Sequence, residues 1–249
     1  MTPPIIPISA QLRYNIDVVV DYLCRIPIPT RQFTVAPYMI VIRSFDVNKP
    51  GEDAETLRGG VAGGTILKGC LKIGDEIAIR PGFIQRDPRT GRNYWTEIRS
   101  VITTLKADEN HLMYAVPGGL LAVGMKVDPQ FTRSDNMVGH VIGHPNAMPP
   151  VFIEIEVKTT ILKRIVGNDD GKNRVENIKE GETLMINISS TNCGGTVMQV
   201  QNKNMVRIKL TKHVCAKIDD KIALSRKIDR NFRLIGWGEI TMGYEDKKE

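Results

Sequence analysis

Apolar positions recur at two different spacings along this chain, and the change from one to the other divides it. Leu12, Ile16, Val19, Val20 and Leu23 fall mostly three or four residues apart, the period that gathers side chains on one face of a helix. The spacing predicts a helix over Leu12 to Leu23, with Ser9 and Asn15 as candidate caps. Ile26-Pro27-Ile28-Pro29 bars further helix, because proline lacks an amide hydrogen and fixes φ. A stiff, extended connector and a domain boundary are therefore predicted between Arg25 and Gln32.

Beyond the connector the period becomes two. Apolar runs broken by Gly, Pro, Asn and Asp predict strands at Tyr38 to Phe45, Thr65 to Leu71, Glu76 to Arg80, Ile98 to Leu105, Leu120 to Val123 and Met137 to Ile142. A second break falls at Pro145, Pro149 and Pro150, after which Val151 to Val157 alternates apolar and acidic residues as a half-buried strand does. Leu184 to Ile188, Thr196 to Val200, Met205 to Leu210, Lys221 to Leu224 and Leu234 to Ile240 complete a second set. One motif recurs three times, a polar turn feeding an alternating strand: Lys72-Ile73-Gly74-Asp75, Lys179-Glu180-Gly181-Glu182 and Lys217-Ile218-Asp219-Asp220. Glycine supplies the positive φ of a tight turn in the first two, and Asp219 is a weaker substitute in the third. Related turns in both sets suggest small closed barrels, which remove exposed sheet edges. The expected fold class is all-β, two consecutive β-barrels at 33–147 and 148–249 behind a short strand-and-helix segment at 1–32.

Composition narrows the setting. The chain has 249 residues, 41% apolar and 25% charged, enough for two domains with cores of their own. No window approaches the roughly 18 apolar residues of a membrane helix and the N-terminus lacks a signal-peptide layout, so a cytoplasmic protein with no membrane partner is expected. Cys24, Cys70, Cys193 and Cys215 never form a C-x-x-C pair, so reduced thiols are expected rather than a zinc site or disulfides. The net charge of +6 is unevenly spread. Ten Lys or Arg face three acids between Lys203 and Arg233, and five arginines face Asp87 and Glu97 between Arg80 and Arg99. A nucleic-acid partner or simply a solvated face accounts for such clusters.

No catalytic constellation emerges, and no metal site is expected. His140 and His144 are four apart, but Gly139 and Gly143 beside them point to a strand or turn, where that spacing does not converge on a metal. Gly59-Gly60-Val61-Ala62-Gly63-Gly64-Thr65 lacks the Lys-Ser/Thr ending of a P-loop and no helix is predicted after it. Close packing of bare backbone is the simplest use of those glycines, and a flat ligand such as a terminal RNA base lying on the backbone is another.

Longer strings carry a resemblance. Ile6-Pro7-Ile8-Ser9-Ala10-Gln11-Leu12, Asn15-Ile16-Asp17-Val18-Val19 and Ile26-Pro27-Ile28-Pro29 resemble the end of the GTP-binding domain of the gamma subunit of eukaryotic translation initiation factor two. Ile42 to Gly51, Gly59 to Gly64, Ile222 to Arg226 and Leu234 to Gly238 resemble its second and third domains. The resemblance implies barrels like domains two and three of elongation factor Tu. It implies alpha and beta subunits as partners, together with methionyl initiator tRNA and the small ribosomal subunit. Ser9, Ala10 and Gln11 match the family's guanine-contacting element.

The P-loop, the D-x-x-G switch and the N-K-x-D base reader do not occur in these residues and are expected upstream. GTP and magnesium are thus expected of the full-length protein, a GTPase, and no cofactor of this chain, which is expected not to be an enzyme. By resemblance Arg43, Gly59, Gly60, Val61, Gly63 and Gly64 are candidates for the tRNA 3′ end, although Arg43 could equally serve a neighbouring carboxylate. Arg86, Arg89 and Arg92 are candidates for docking the alpha subunit. Gly238, Glu239, Ile240, Thr241, Met242 and Gly243 resemble the region bound by an ATP-grasp assembly chaperone, where the family usually carries basic residues in place of Thr241 and Met242. A stand-alone binding module without a GTPase domain is the alternative reading.

Overall fold

A computed structural model describes residues 4–49, 51, 53, 57–89, 91, 93–165, 174–202, 204–228 and 230–245. They form two compact units, Met1–Arg31 and Gln32–Glu249.

In the first unit the only regular element among the described residues is α1, Ile16–Cys24. The helix begins later than its apolar spacing predicts, because Arg13 and Asn15 take left-handed φ of 53° and 55°. The chain ahead of it closes a tight turn in which Ser9 and Tyr14 exchange backbone hydrogen bonds of 3.0 and 3.3 Å. The expected strand is reduced to that one bridge. Both candidate caps are used differently. Ser9 Oγ accepts from Leu12 N–H at 3.3 Å within the turn, and Asn15 donates its side-chain amide to Pro7 O at 2.9 Å instead of capping α1. No residue of α1 is buried.

The second unit is all β. Its first part holds β1 (Tyr38–Phe45), β2 (Val61–Lys68), β3 (Leu71–Lys72), β4 (Glu76–Arg86), β5 (Asn93–Ala107), β6 (Asn110–Leu112), β7 (Tyr114–Ala115), β8 (Leu120–Met125) and β9 (Val141–Gly143). These pair antiparallel in the order β4-β9-β1-β2-β8-β5, and β5 pairs back with β4, closing a six-stranded ring to which β6 adds as a hairpin. The second part holds β10 (Val151–Ile161), β11 (Thr183–Ile188), β12 (Thr191–Gln201), β13 (Met205–Cys215), β14 (Lys221–Ile228) and β15 (Asn231–Tyr244), closed in the order β10-β13-β12-β11-β14-β15. Most strands run longer than their apolar cores. The Met137 to Ile142 expectation fails at its start, since Met137 to His140 form turns and only Val141–Gly143 pair.

Closure suits these sequences because every strand can bury one face. Met39, Val41, Ile66, Ile77, Ile79 and Met125 fill the first ring, and Ile155, Leu184, Ile186, Ile208, Leu224 and Ile240 the second. Each such side chain contributes about 1.5–3 kcal/mol by leaving water.

The three recurrent turns are one structure built three times. Gly74, Gly181 and Asp219 have φ of 90°, 78° and 70°. In each, the following carboxylate accepts the N–H of the lysine three residues back: Asp75 from Lys72 (2.8 Å), Glu182 from Lys179 (3.2 Å) and Asp220 from Lys217 (2.8 Å).

The barrels meet along Tyr38, Val141, Val151 and Cys215, a small apolar cluster of its own. Arg80 fixes the linker there. Its Nε holds Glu97 at 2.7 Å, its Nη1 donates to Pro149 O at 2.9 Å, and its guanidinium lies 5.5 Å from the Trp95 ring centre. Lys217 crosses from the second barrel to stand 3.6 Å over the Tyr38 ring. Burial lowers the Lys217 pKa and raises that of Tyr38.

Candidate functional site

The Gly-rich segment does not precede a strand, as its sequence suggests, but enters one. Val61 to Lys68 is β2, and it lies between β1 and β8. The glycines of the segment differ in what a side chain would meet. A Cβ at Gly59 would collide with Met125 O, one at Gly60 with the buried Thr132 side chain, and one at Gly64 with Ile40 O. These three glycines allow backbones to pack. Gly63 differs, since the nearest atoms to an added Cβ would be Arg43 Cβ at 3.6 Å and Phe45 Cε1 at 3.7 Å, ordinary contact distances. Val61 is half-buried and pairs with Phe45.

A bulge in β1 organises this outer face. Val41 pairs with Gly64 and Arg43 with Gly63, so Ile42 is the extra residue, and the strand turns Arg43 and Phe45 to the same side of the sheet as the bare backbone of Gly63. The Arg43 side chain is 71% exposed, so it is open to a ligand while its Nε stands 3.2 Å from Asp135 Oδ1. The carboxylate partnership that the sequence left open for Arg43 is therefore present. Asp135 Oδ1 also accepts the Ser44 N–H at 2.9 Å, and the buried Ser44 Oγ accepts the Met137 N–H at 3.0 Å. Ser134 and Asp135 are both left-handed, at φ of 56° and 59°. Two consecutive strained residues held by such bonds mark a place where the fold fixes one side chain, here the base of Arg43. Motif reading does not single out Phe45; its signal is the alternation that puts it two residues after Arg43.

The other candidate residues lie apart from this face. Arg86 ends β4 and donates from Nε to Gly91 O at 3.1 Å, inside the hairpin that joins β4 to β5. Arg89 occupies the same hairpin, where its N–H donates to Asp87 Oδ1 at 2.8 Å, and Arg92 lies outside the described residues. Ser9, Ala10 and Gln11 belong to the tight turn before α1. Gly238 to Gly243 lie in β15 between β10 and β14. Gly238 packs on Val157 and Gly243 on the Phe152 ring, where any Cβ would collide. Ile240 is buried, and a bulge makes Thr241 the extra residue beside Glu156 and Met242. Glu239, Thr241 and Met242 alone offer polar or exposed groups there, and Thr241 Oγ1 donates to Glu156 O at 3.2 Å.

His140 and His144 do not converge. The two ring nitrogens of His140 meet Met137 O at 3.1 Å and Gly82 O at 3.0 Å, while His144 faces Asp75 at 3.8 Å. Burial lowers the His140 pKa, against the pull of those carbonyls. Among the described residues no group of three or more His, Cys, Asp or Glu is placed to hold a metal, and no helix is long and apolar enough to cross a membrane.

Residues 153–240 match the protein family described as initiation factor eIF2 gamma, C terminal. Over 244 residues the chain is 48% identical to the eukaryotic translation initiation factor 2 subunit gamma of Schizosaccharomyces pombe, a match that covers 96% of this chain and 54% of that protein. Its fold is similar to that of translation elongation factor SelB from Methanococcus maripaludis. The apo form of SelB gives a TM-score of 0.69 at 17% identity, covering 96% of this chain and 51% of the other, and its complex with the GTP analogue GPPNHP gives 0.68 at 17% identity, covering 97% and 51%. The chain spans about half the length of the relatives it matches. The likeness to SelB speaks for the two barrels as a fold, while the sequence match runs through both barrels and the segment before them. The chain belongs to the translation initiation factor eIF2 gamma family.

Proposed function

We propose that the barrels of this chain hold the aminoacylated 3′ end of methionyl initiator tRNA on the face formed by Arg43, Phe45 and Gly63. The observation that carries the reading is the geometry of that face. An anchored but exposed guanidinium and an aromatic edge flank a strip of backbone with no side chain. Arginine planes and aromatic rings stack on unpaired bases, and glycine lets a flat base approach the backbone. One stacked base is worth about 1–3 kcal/mol, so Arg43→Ala in the full-length subunit, assembled with its alpha and beta partners, is expected to weaken methionyl initiator tRNA binding about tenfold. Unchanged affinity in a filter-binding assay overturns the assignment.

The same reading gives the chain its place in a heterotrimer that works in the cytoplasm on the small ribosomal subunit. The hairpin carrying Arg86 and Arg89, with Arg92 of the same sequence stretch, docks the alpha subunit through charge, and the surface of β15 at Glu239, Thr241 and Met242 meets an assembly chaperone. Calorimetric titration with the alpha subunit is expected to give a dissociation constant near roughly 1 μM, weakening with salt. GTP binding and hydrolysis belong to the full-length protein, and these 249 residues contain none of the phosphate-binding strings that the chemistry needs. A fluorescent-nucleotide titration of this chain that gave a dissociation constant below about 10 μM would contradict that division.

A further inference from the structure

A second site lies where the two barrels face each other. There a cleft of about 900 Å³ opens between the β4–β5 hairpin and the Asp135–His140 turns on one side and the start of β12 and the end of β13 on the other. Its walls are fixed relative to each other. Ser190 Oγ donates to Val41 O at 2.8 Å and Thr191 Oγ1 donates to Gly139 O at 3.0 Å, each bond joining one barrel to the other.

The lining is shaped by a bulge. Phe152 of β10 pairs with Val214 and Glu154 with Lys209, so the single residue Ile153 stands opposite the four residues 210–213 of β13. Bulges re-aim side chains, and here the enlarged strand brings Lys209, Thr211 and Lys212 into the cleft wall.

Charge in the cleft is one-sided once partners are assigned. Its two acids are committed elsewhere, Asp135 to Arg43 and Glu154 to Arg207. Burial lowers the pKa of His140, whose ring nitrogens are taken up by Met137 O and Gly82 O. Lys209 and Lys212 are exposed and, among the described residues, neither has an acid within ion-pair distance. Two ammonium groups therefore project from a fixed wall with nothing among those residues to neutralise them, beside amide and hydroxyl groups that can both donate and accept.

We propose that this cleft binds a phosphate-bearing nucleotide unit, with Lys209 and Lys212 taking the phosphate and Asn93, Asn136 and Thr211 meeting the sugar or base. The volume suits a ligand of nucleotide size. Lys209 and Lys212 take no part in the Arg43 face, so this inference goes beyond the tRNA 3′-end reading and stands or falls separately from it.

The test uses fluorescence anisotropy on the whole chain with two probes, a 5′-phosphorylated single-stranded RNA hexamer and a fluorescent adenosine monophosphate, across a salt series. The variants are K209Q/K212Q and, as a control on lysines outside the cleft, K158Q/K227Q, with folding checked by circular dichroism. Binding of at least one probe is expected to weaken tenfold or more in K209Q/K212Q and no more than twofold in the control. For the hexamer, the slope of log affinity against log salt should fall by about 0.7 for each phosphate that the variant no longer neutralises. Lysine-dependent binding of the mononucleotide identifies a free nucleotide as the ligand, and binding of the hexamer alone identifies a polynucleotide. Equal weakening in both variant pairs, no binding of either probe, or equally effective displacement by hexaglutamate overturns the proposal.

Discussion

Adjacent glycines in β2 offer a sharp contrast. Gly63→Ala and Gly64→Ala add the same methyl group one residue apart, on opposite faces of one strand. At Gly64 the new Cβ would stand 2.0 Å from Ile40 O and 3.1 Å from Met39 Cε. An ordinary contact needs more than 3.4 Å, so β1 and β2 would have to separate by over an ångström just where Val41 pairs with Gly64. Closure opposes that movement, because β1 is also bonded to β9 and β2 to β8. Overpacking of this kind costs typically 1–3 kcal/mol, and the backbone clash puts Gly64→Ala at the upper end, about 3 kcal/mol. For a unit of this size the loss lowers the melting temperature by about 6–12 °C. At Gly63 the closest neighbours are at 3.6 and 3.7 Å, so its alanine variant should stay within about 0.5 kcal/mol of wild type, or roughly 1–2 °C. Thermal melts followed by circular dichroism at matched concentration decide the matter. A Gly64→Ala protein melting with the wild type, or a Gly63→Ala protein falling as far as its neighbour, would refute the assignment of packing to one glycine and open surface to the other.

Four further outcomes follow from the same geometry. Gly74 and Gly181 have nothing within 4 Å of an added Cβ, so their alanine variants isolate the cost of positive φ, about 1 kcal/mol in urea unfolding, whereas Asp219→Gly should be neutral or slightly stabilising. Arg80→Ala removes one of the two arginines on Glu97, leaving Arg99 at 3.0 Å, together with the bond to Pro149 O, and should cost about 2 kcal/mol while loosening the barrels from each other, read as a broadened or split calorimetric transition. Burial pushes the Cys193 thiol up to about 11 and Cys215 up to about 12, so at pH 8 iodoacetamide should modify exposed Cys24 quickly and these two only after denaturation. His140 has its pKa lowered below the ordinary 6.5 by folding, so its neutral form stabilises the protein above that value and the contribution is lost as pH falls through the lowered pKa. Wild type should therefore lose more stability than His140→Gln between pH 7 and pH 5, as followed by urea midpoints.

Strand-forming alternation made the barrels legible, because strands such as β2 and β11 have one face in a core and keep the period of two between bulges. The turn motif was equally readable, since glycine at two of its three copies marks a φ that few residues tolerate. Strand ends were not, because β4, β5 and β13 continue through polar residues whose pairing depends on partners far along the chain. The Met137 to Ile142 run misled at its start because Met137 is buried by a turn, and only Val141 and Ile142 are buried by a strand. α1 began late because left-handed Asn15 overrides its apolar spacing. At the face proposed for tRNA, Arg43 and Gly63 were visible as residues, but their selection from the rest of the Gly-rich segment was not. It depends on Asp135, 92 positions away in sequence, and on which glycines have backbone against them. The cleft was invisible for the same reason, as its walls come from both barrels and its charge balance emerges only after each acid has found its arginine.

The central claim, that initiator tRNA ends on the Arg43, Phe45 and Gly63 face, is tested most directly by photo-crosslinking. The photoreactive residue p-benzoylphenylalanine would replace Phe45 in the full-length subunit within its heterotrimer, with the same residue at the exposed Met113 as the control. Methionyl initiator tRNA labelled at its 3′-terminal nucleotide is then bound and irradiated. The account expects a crosslink from position 45 to the labelled terminus and none from position 113. A crosslink of equal yield from both positions, or none from position 45 while tRNA remains bound, would contradict it.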